Sequence, residues 1–308
     1  MSFCNKREFC DLIEMLSSES GISPGIIEKD YYVTLFLREL SNSVPDIVFK
    51  GGTSLSKCYG IISRFSEDID LNYGNGKNKP SESMRRKMKD GILQAAENIG
   101  LQLIDMDPKV IPYKRDYLVY HFGYPSFYTD ASLRDEIMVE TSVRSPSYPV
   151  EARMVNSLVH HYLSRRSLDS VAEEYGVSPF PIQVQTLDRT FADKLYAVAD
   201  YYLENKPKRN SRHLYDIFRI MPQIKIDDQY GTFLRELRDL RSTQPNNPSA
   251  NAEESLTSLL QHVLDSDFYK KDYEQNTTQL LFEDVPYESV KDGLQHIVDE
   301  LQCLENNL

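Results

Sequence analysis

FKGGTSLSKCYGIISRFSEDIDL, residues 49–71, is the stretch whose reading decides the fold. Ile47, Val48 and Phe49 form a short continuous apolar run of the kind found in strands buried on both faces. The run stops at Gly51 and Gly52. A brief helix is expected from Ser54, and a second strand around residues 67–73, where Ile69, Leu71 and Tyr73 alternate with Asp68, Asp70 and Asn72.

Two glycines between a buried strand and a helix let the backbone turn sharply and approach a ligand closely. Thr53 and Ser54 put hydroxyls at the helix start, where open N–H groups and the helix dipole attract phosphate. Lys50 and Lys57 add positive charge nearby. In the next strand Asp68 and Asp70 are two residues apart, so they project from one face with their bases ~7 Å apart. Neighbouring carboxylates repel unless a cation lies between them, and Mg²⁺ (or Mn²⁺) accepts carboxylate oxygens together with substrate phosphates. Phosphoryl transfer over two metals commonly uses a third carboxylate. Glu140 fits, because Ile137, Val139, Thr141 and Val143 occupy the alternate face of its strand. The plainer alternative for all three acids is a solvated strand face.

Upstream of this stretch, Phe9, Leu12, Ile13 and Leu16 mark one helix, and Ser23 with Pro24 opens a second that runs to about Leu40. Downstream, Met84, Met88, Ile92, Ala95 and Ile99 mark a helix closed by Gly100. Strands are expected near residues 101–106, 116–122 and 136–143. Beyond about residue 150 helical periodicity takes over, as in Phe191, Leu195, Val198 and Tyr202, and residues 242–251 read as a loop. The expected class is therefore α+β: a mixed sheet with flanking helices over 1–150, then a mainly helical domain over 151–308.

The chain of 308 residues carries a net charge of −12, which opposes nonspecific binding to a polyanion. Any nucleic-acid contact must be local, and Lys206, Lys208, Arg209, Arg212 and His213 form the best cluster; a solvated interhelical turn is the slightly simpler explanation of it. No stretch approaches the ~20 apolar residues of a membrane span, and the charged N-terminus does not suit a signal peptide, so a cytoplasmic location is expected. Cys4, Cys10, Cys58 and Cys303 have no metal-site spacing and read as reduced thiols.

EKDYYVTLFLREL (residues 28–40) and FKGGTSLSKCYGIISRFSEDIDL together resemble the AbiEii/AbiGii-type toxin nucleotidyltransferases of abortive-infection and type IV toxin–antitoxin systems. The likeness extends more loosely through Glu140, FADKLYAVADYYL and RHLYDI, covering most of residues 25–220. It implies a DNA polymerase beta-like nucleotidyltransferase domain followed by a helical domain, with a nucleoside triphosphate held between them. Lys194 stands where the family has a triphosphate-contacting lysine. Asp216 stands at the family's last aspartate, although His213 replaces an earlier Asp of that motif. Arg212 and Arg219 are spaced to pair with Asp216 along the helix.

These readings combine into an expected activity. Asp68 and Asp70, helped by Glu140, hold the metal; Gly51, Gly52, Thr53, Ser54, Lys57 and Lys194 hold the triphosphate. The acceptor implied by resemblance is the 3′ end of a tRNA, with growth arrest as the consequence and an antitoxin encoded nearby. The same site suits a protein or small-molecule hydroxyl as acceptor. A module that binds nucleotide without turnover is the third reading.

Overall fold

The computed structural model describes residues 6–66, 68–74, 79–106, 116–128, 133–143, 145–244 and 246–306. Cys4 and Glu67 lie outside the described residues. The chain divides into two units, one of residues 1–60 and 66–185, the other of residues 61–65 and 186–308.

The first unit opens with helices α1 (Lys6–Ser20) and α2 (Pro24–Ser43). The periodic face of α1 (Phe9, Leu12, Ile13, Leu16) is buried. Strand β1 (Ile47–Lys50) follows, then α3 (Gly51–Ser54), which runs directly into a wider π-type turn over Leu55–Tyr59 and ends at the left-handed Gly60. After β2 (Asp68–Tyr73) come α4 (Glu82–Asn98), β3 (Gln102–Met106), β4 (Tyr117–Gly123), β5 (Glu136–Ser142) and β6 (Val150–Val155). Two short helices, α5 (Leu158–Ser164) and α6 (Asp169–Glu174), lead to β7 (Phe180–Gln185).

The seven strands form one mixed sheet in the order β3-β4-β5-β2-β1-β7-β6. Strand β2 is antiparallel to β1 and parallel to β5, so the acidic strand sits near the centre of the sheet. Burial explains why. Ile69 and Leu71 are fully covered on one face of β2, and Ile47, Val48 and Phe49 of β1 are covered on both. Such strands are stable only with neighbours on each side.

Beyond residue 150 the described chain is mainly helical as expected, but two strands, β6 and β7, lie in that stretch and belong to the sheet. The first unit therefore continues past the boundary expected at 150, to Gln185. Strand β6 lies at an edge and exposes Ala152, Arg153 and Met154, so its pattern lacks the apolar run of a central strand.

The second unit is helical: α7 (Leu187–Leu203), α8 (Arg212–Ile220), α9 (Asp228–Ser242), α10 (Pro248–Asn251), α11 (Leu256–Asp265), α12 (Lys270–Asp272) and α13 (Tyr287–Asn306). Its core gathers Phe191, Leu195, Val198, Leu214, Ile217, Val290, Leu294 and Ile297. The loop expected at 242–251 contains one helical turn, α10. Asp200 fixes it by accepting from Ser249 N at 2.8 Å and Ser249 Oγ at 2.5 Å. Residues 61–65 join this unit through backbone bonds from Phe65 N to Leu280 O and Phe282 N to Ser63 O.

Candidate active site

In the first unit, sheet register brings the acids together. Asp70 stands opposite Glu140 on β5 and opposite Lys50 on β1; Asp68 stands opposite Met138. Opposed residues in a sheet share a face, so Asp68, Asp70, Glu140 and Lys50 all lie on the face away from Ile69 and Leu71. Each of the four is half-buried. Tyr117 donates its hydroxyl to Glu140 Oε2 at 3.0 Å, orienting a carboxylate that the sequence alone did not connect to any partner.

Gly51 connects this acidic face to the turn. Its φ is +76°, in the left-handed region, and a Cβ placed there would lie 1.9 Å from Asp70 Oδ2. Only glycine permits both the backbone and the carboxylate in that space. Thr53 then ties the turn to the acidic strand, donating to the Asp68 carbonyl at 2.6 Å. The first turn after β1 and the acids of β2 thus form one built unit.

Three expected phosphate ligands are turned inward. Ser54 is fully buried and donates its only hydroxyl proton to Gly51 O at 2.8 Å. Thr53 is engaged as described. Lys57 is buried, with its ammonium donating to Asp30 Oδ1 at 2.6 Å, Asp30 O at 3.2 Å and Thr34 Oγ1 at 2.8 Å. An ammonium has three donors, so Lys57 is saturated. What this turn offers a phosphate is its backbone N–H groups at Gly51 and Gly52, which begin the helix and have no acceptor one turn back.

The Asp30–Lys57 pair also explains the charged run on α2. Asp30 Oδ2 accepts from Leu158 N at 2.9 Å, Glu28 accepts from Ser126 Oγ and Phe127 N, and Lys29 donates to Arg134 O. These charges tie α2 to the segments at Ser126–Phe127, Arg134 and Leu158. Asp30→Ala is expected to destabilise the protein by about 3–5 kcal/mol, because it strands a buried ammonium, and Lys57→Met in the same chain should recover most of that. Urea unfolding measures both; a loss below ~1 kcal/mol would show the pair to be incidental.

Among the described residues no three His, Cys, Asp or Glu side chains converge into a ready-made metal cage. Asp68, Asp70 and Glu140 share a face without closing around one point. Their chemistry still suits Mg²⁺, which takes one or two protein carboxylates and completes its octahedron with water and substrate phosphate.

The second unit holds Lys194 and Asp216. Asp216 is fully buried and accepts two bonds from Arg64, Nε to Oδ1 at 2.7 Å and Nη2 to Oδ2 at 2.8 Å, and a third from Lys194 Nζ at 2.6 Å. The expected helix pairing of Asp216 with Arg212 and Arg219 is not what forms. Asp216 turns to the unit's interior, and Arg219 instead donates to Ile61 O and pairs with Glu283. Burial alone would raise the Asp216 carboxyl, but the Arg64 and Lys194 charges outweigh it and hold the group below its ordinary range. Lys194 is pushed down by burial; the Asp216 charge opposes this, and the neighbouring Arg64 charge adds to it. Arg64 was unreadable as a partner, lying 152 residues away in sequence.

Comparison with known proteins now bears on this arrangement. The sequence profile described as "Nucleotidyl transferase AbiEii toxin, Type IV TA system" matches residues 35–297, extending the likeness into the C-terminal third. Among solved structures, MenT4, a nucleotidyltransferase toxin of Mycobacterium tuberculosis H37Rv, aligns with a TM-score of 0.55 at 17% identity, covering 94% of this chain and 89% of that one. At that identity the likeness is one of fold. No curated protein matches the sequence significantly.

Proposed function

Because the chain belongs to the AbiEii nucleotidyltransferase toxin family, we propose that it transfers a nucleoside monophosphate from a nucleoside triphosphate to the 3′ end of a tRNA, with Mg²⁺ or Mn²⁺, as a growth-arresting toxin. The observation that carries this reading is the Asp70–Glu140 register beside Gly51, where acids fit for metal meet a turn fit for phosphate.

Asp70 and Asp68, with Glu140 on the neighbouring strand, would hold the metal. The bound metal supplies charge neutralisation at the triphosphate and activation of the acceptor hydroxyl. Tyr117 keeps Glu140 aimed at the same face. The Gly51 and Gly52 amides steady the phosphates for in-line attack on the α-phosphorus, and pyrophosphate leaves. In the second unit, Asp216 holds the Lys194 ammonium at 2.6 Å, and the part of Lys194 in triphosphate binding is taken from its place in the family's motif. A neighbouring antitoxin gene and action in the cytoplasm, where tRNA and nucleotides occur, complete the proposal. Among the described residues no helix is long and apolar enough to cross a membrane.

The net charge of −12 favours a compact acceptor contact over a large RNA footprint, which keeps a protein hydroxyl as the second reading. Incubation with each α-labelled nucleoside triphosphate, Mg²⁺ and total RNA separates them. Label is expected in the tRNA band; label confined to protein would overturn the tRNA acceptor.

A further inference from the structure

The acidic face of the first unit's sheet continues past Glu140. Strand β4 is antiparallel to β5, with Val119 opposite Glu140, His121 opposite Met138 and Gly123 opposite Glu136. Met138 is also opposite Asp68, so Asp68, Met138 and His121 form one row across three strands, the outer two backbones ~10 Å apart. Glu136, two residues before Met138, shares that face. The position opposite Glu136 is a glycine, and its carboxylate reaches the diagonal neighbour instead: Glu136 Oε1 meets His121 Nδ1 at 2.9 Å.

That contact fixes the imidazole. An ionised carboxylate only accepts, so Nδ1 carries the hydrogen and, in the neutral ring, Nε2 presents a lone pair. Nε2 has no partner among the described residues, and the side chain is 25% exposed, which leaves it within reach of a ligand.

The direction of transfer says what ligand this is. In-line displacement puts the attacking hydroxyl and the leaving pyrophosphate on opposite sides of the α-phosphorus. The Gly51 and Gly52 amides follow β1, on one side of β2, whereas β5 and then β4 lie on the other. The acceptor therefore comes in over Glu140, Met138 and His121. Glu136 and Glu140 make this strip acidic, and Arg134, resting on Met138 Sδ at 3.3 Å, sets one cation against them. Acids side by side repel a phosphate, so the part of an RNA that suits the strip is the phosphate-free sugar at its 3′ end. That sugar carries two adjacent hydroxyls. One attacks at the acids, and the other, the 2′-hydroxyl, can donate to a lone pair.

We propose that His121, held by Glu136, accepts a hydrogen bond from the 2′-hydroxyl of the acceptor's terminal ribose and so makes the enzyme choose RNA ends over DNA ends. This rests on the nucleotidyltransferase reading with RNA as acceptor and deepens it. The contact is to the sugar alone, so it acts whatever the terminal base.

The test uses the full chain with Mg²⁺ and a short RNA whose 3′-terminal sugar is ribose, 2′-deoxyribose or 2′-fluororibose. The fluoro sugar keeps the pucker of ribose but has no hydrogen to donate. Transfer is followed with labelled nucleoside triphosphate, and binding of each RNA by fluorescence anisotropy without nucleotide. Wild type is expected to bind and extend the ribose end about 10-fold better than the other two. His121→Ala should treat the three ends alike, with KM for the nucleoside triphosphate unchanged. His121→Gln, which returns an acceptor oxygen, should recover part of the preference, and it decides the matter if the alanine variant does not fold. His296→Ala removes another histidine paired with a glutamate, on α13, and should leave the preference at the wild-type level. A ribose preference that survives His121→Ala, or that is missing from wild type that labels RNA, would overturn the His121 contact while leaving the transferase reading intact. No label on RNA with any of the three ends would remove the RNA acceptor, and this contact with it.

Discussion

Asp70→Asn is expected to reduce pyrophosphate release on the order of 10³-fold, ~4 kcal/mol of activation free energy, without unfolding the protein. The substitution keeps the shape that fits against Gly51 and removes only the charge. Asp70 and Glu140 face each other across paired strands, and like charges so placed repel in the absence of a cation. Lys50 opposes Asp70 on the other neighbouring strand, so loss of the charge removes one attraction along with one repulsion and leaves the folded state about as stable. Activity falling while the melting temperature holds or rises is the signature of a site maintained against stability. A melting temperature lowered by more than ~5 °C, or activity within tenfold of wild type, would show Asp70 to be a structural acid. Asp68→Asn tests the same face from a position opposite Met138, and its loss should be of the same kind.

What the sequence made legible about this site is local. The buried run before Gly51, the period-two Asp68–Asp70 pattern and the alternation around Glu140 all report on neighbours in the chain, and each lies where that pattern requires. Side-chain direction within the turn was not legible. Ser54 and Lys57 have the residue types of phosphate ligands, but Gly51 O, Asp30 and Thr34 take their donors, and Asp30 is 27 residues from Lys57. Asp216 shows the same limit. Its two helix neighbours were chosen by spacing, whereas its true cations come from α7 and from residues 61–65. Strands β6 and β7 were missed because an edge strand exposes its middle and β7 carries Pro181, and both features weaken a strand pattern without preventing pairing.

Asp216→Ala is expected to destabilise the protein by about 3–5 kcal/mol, since it leaves the Arg64 guanidinium and Lys194 ammonium buried without their shared counter-charge. Both side chains are less than a tenth exposed, so water does not replace the lost partner. The pH dependence follows from the depressed carboxyl. A group whose folded pKa lies below its unfolded value of about 3.9 contributes fully above that value and loses its contribution as pH falls toward the folded pKa. Wild type should therefore lose stability below about pH 4 more steeply than Asp216→Ala, so the gap between them narrows in acid. Replacing the whole cluster separates structure from function. Asp216→Leu with Arg64→Met and Lys194→Met should regain most of the stability, because well-packed apolar side chains commonly match a buried ion cluster, yet remain inactive. Urea unfolding at pH 7 and pH 3 beside a pyrophosphate assay measures all of this. If the apolar triple variant were active, the cluster would be a packing device and Lys194 would have no part in holding the triphosphate; if it were inactive but stable, the buried charges are retained for the reaction at the expense of an easier core.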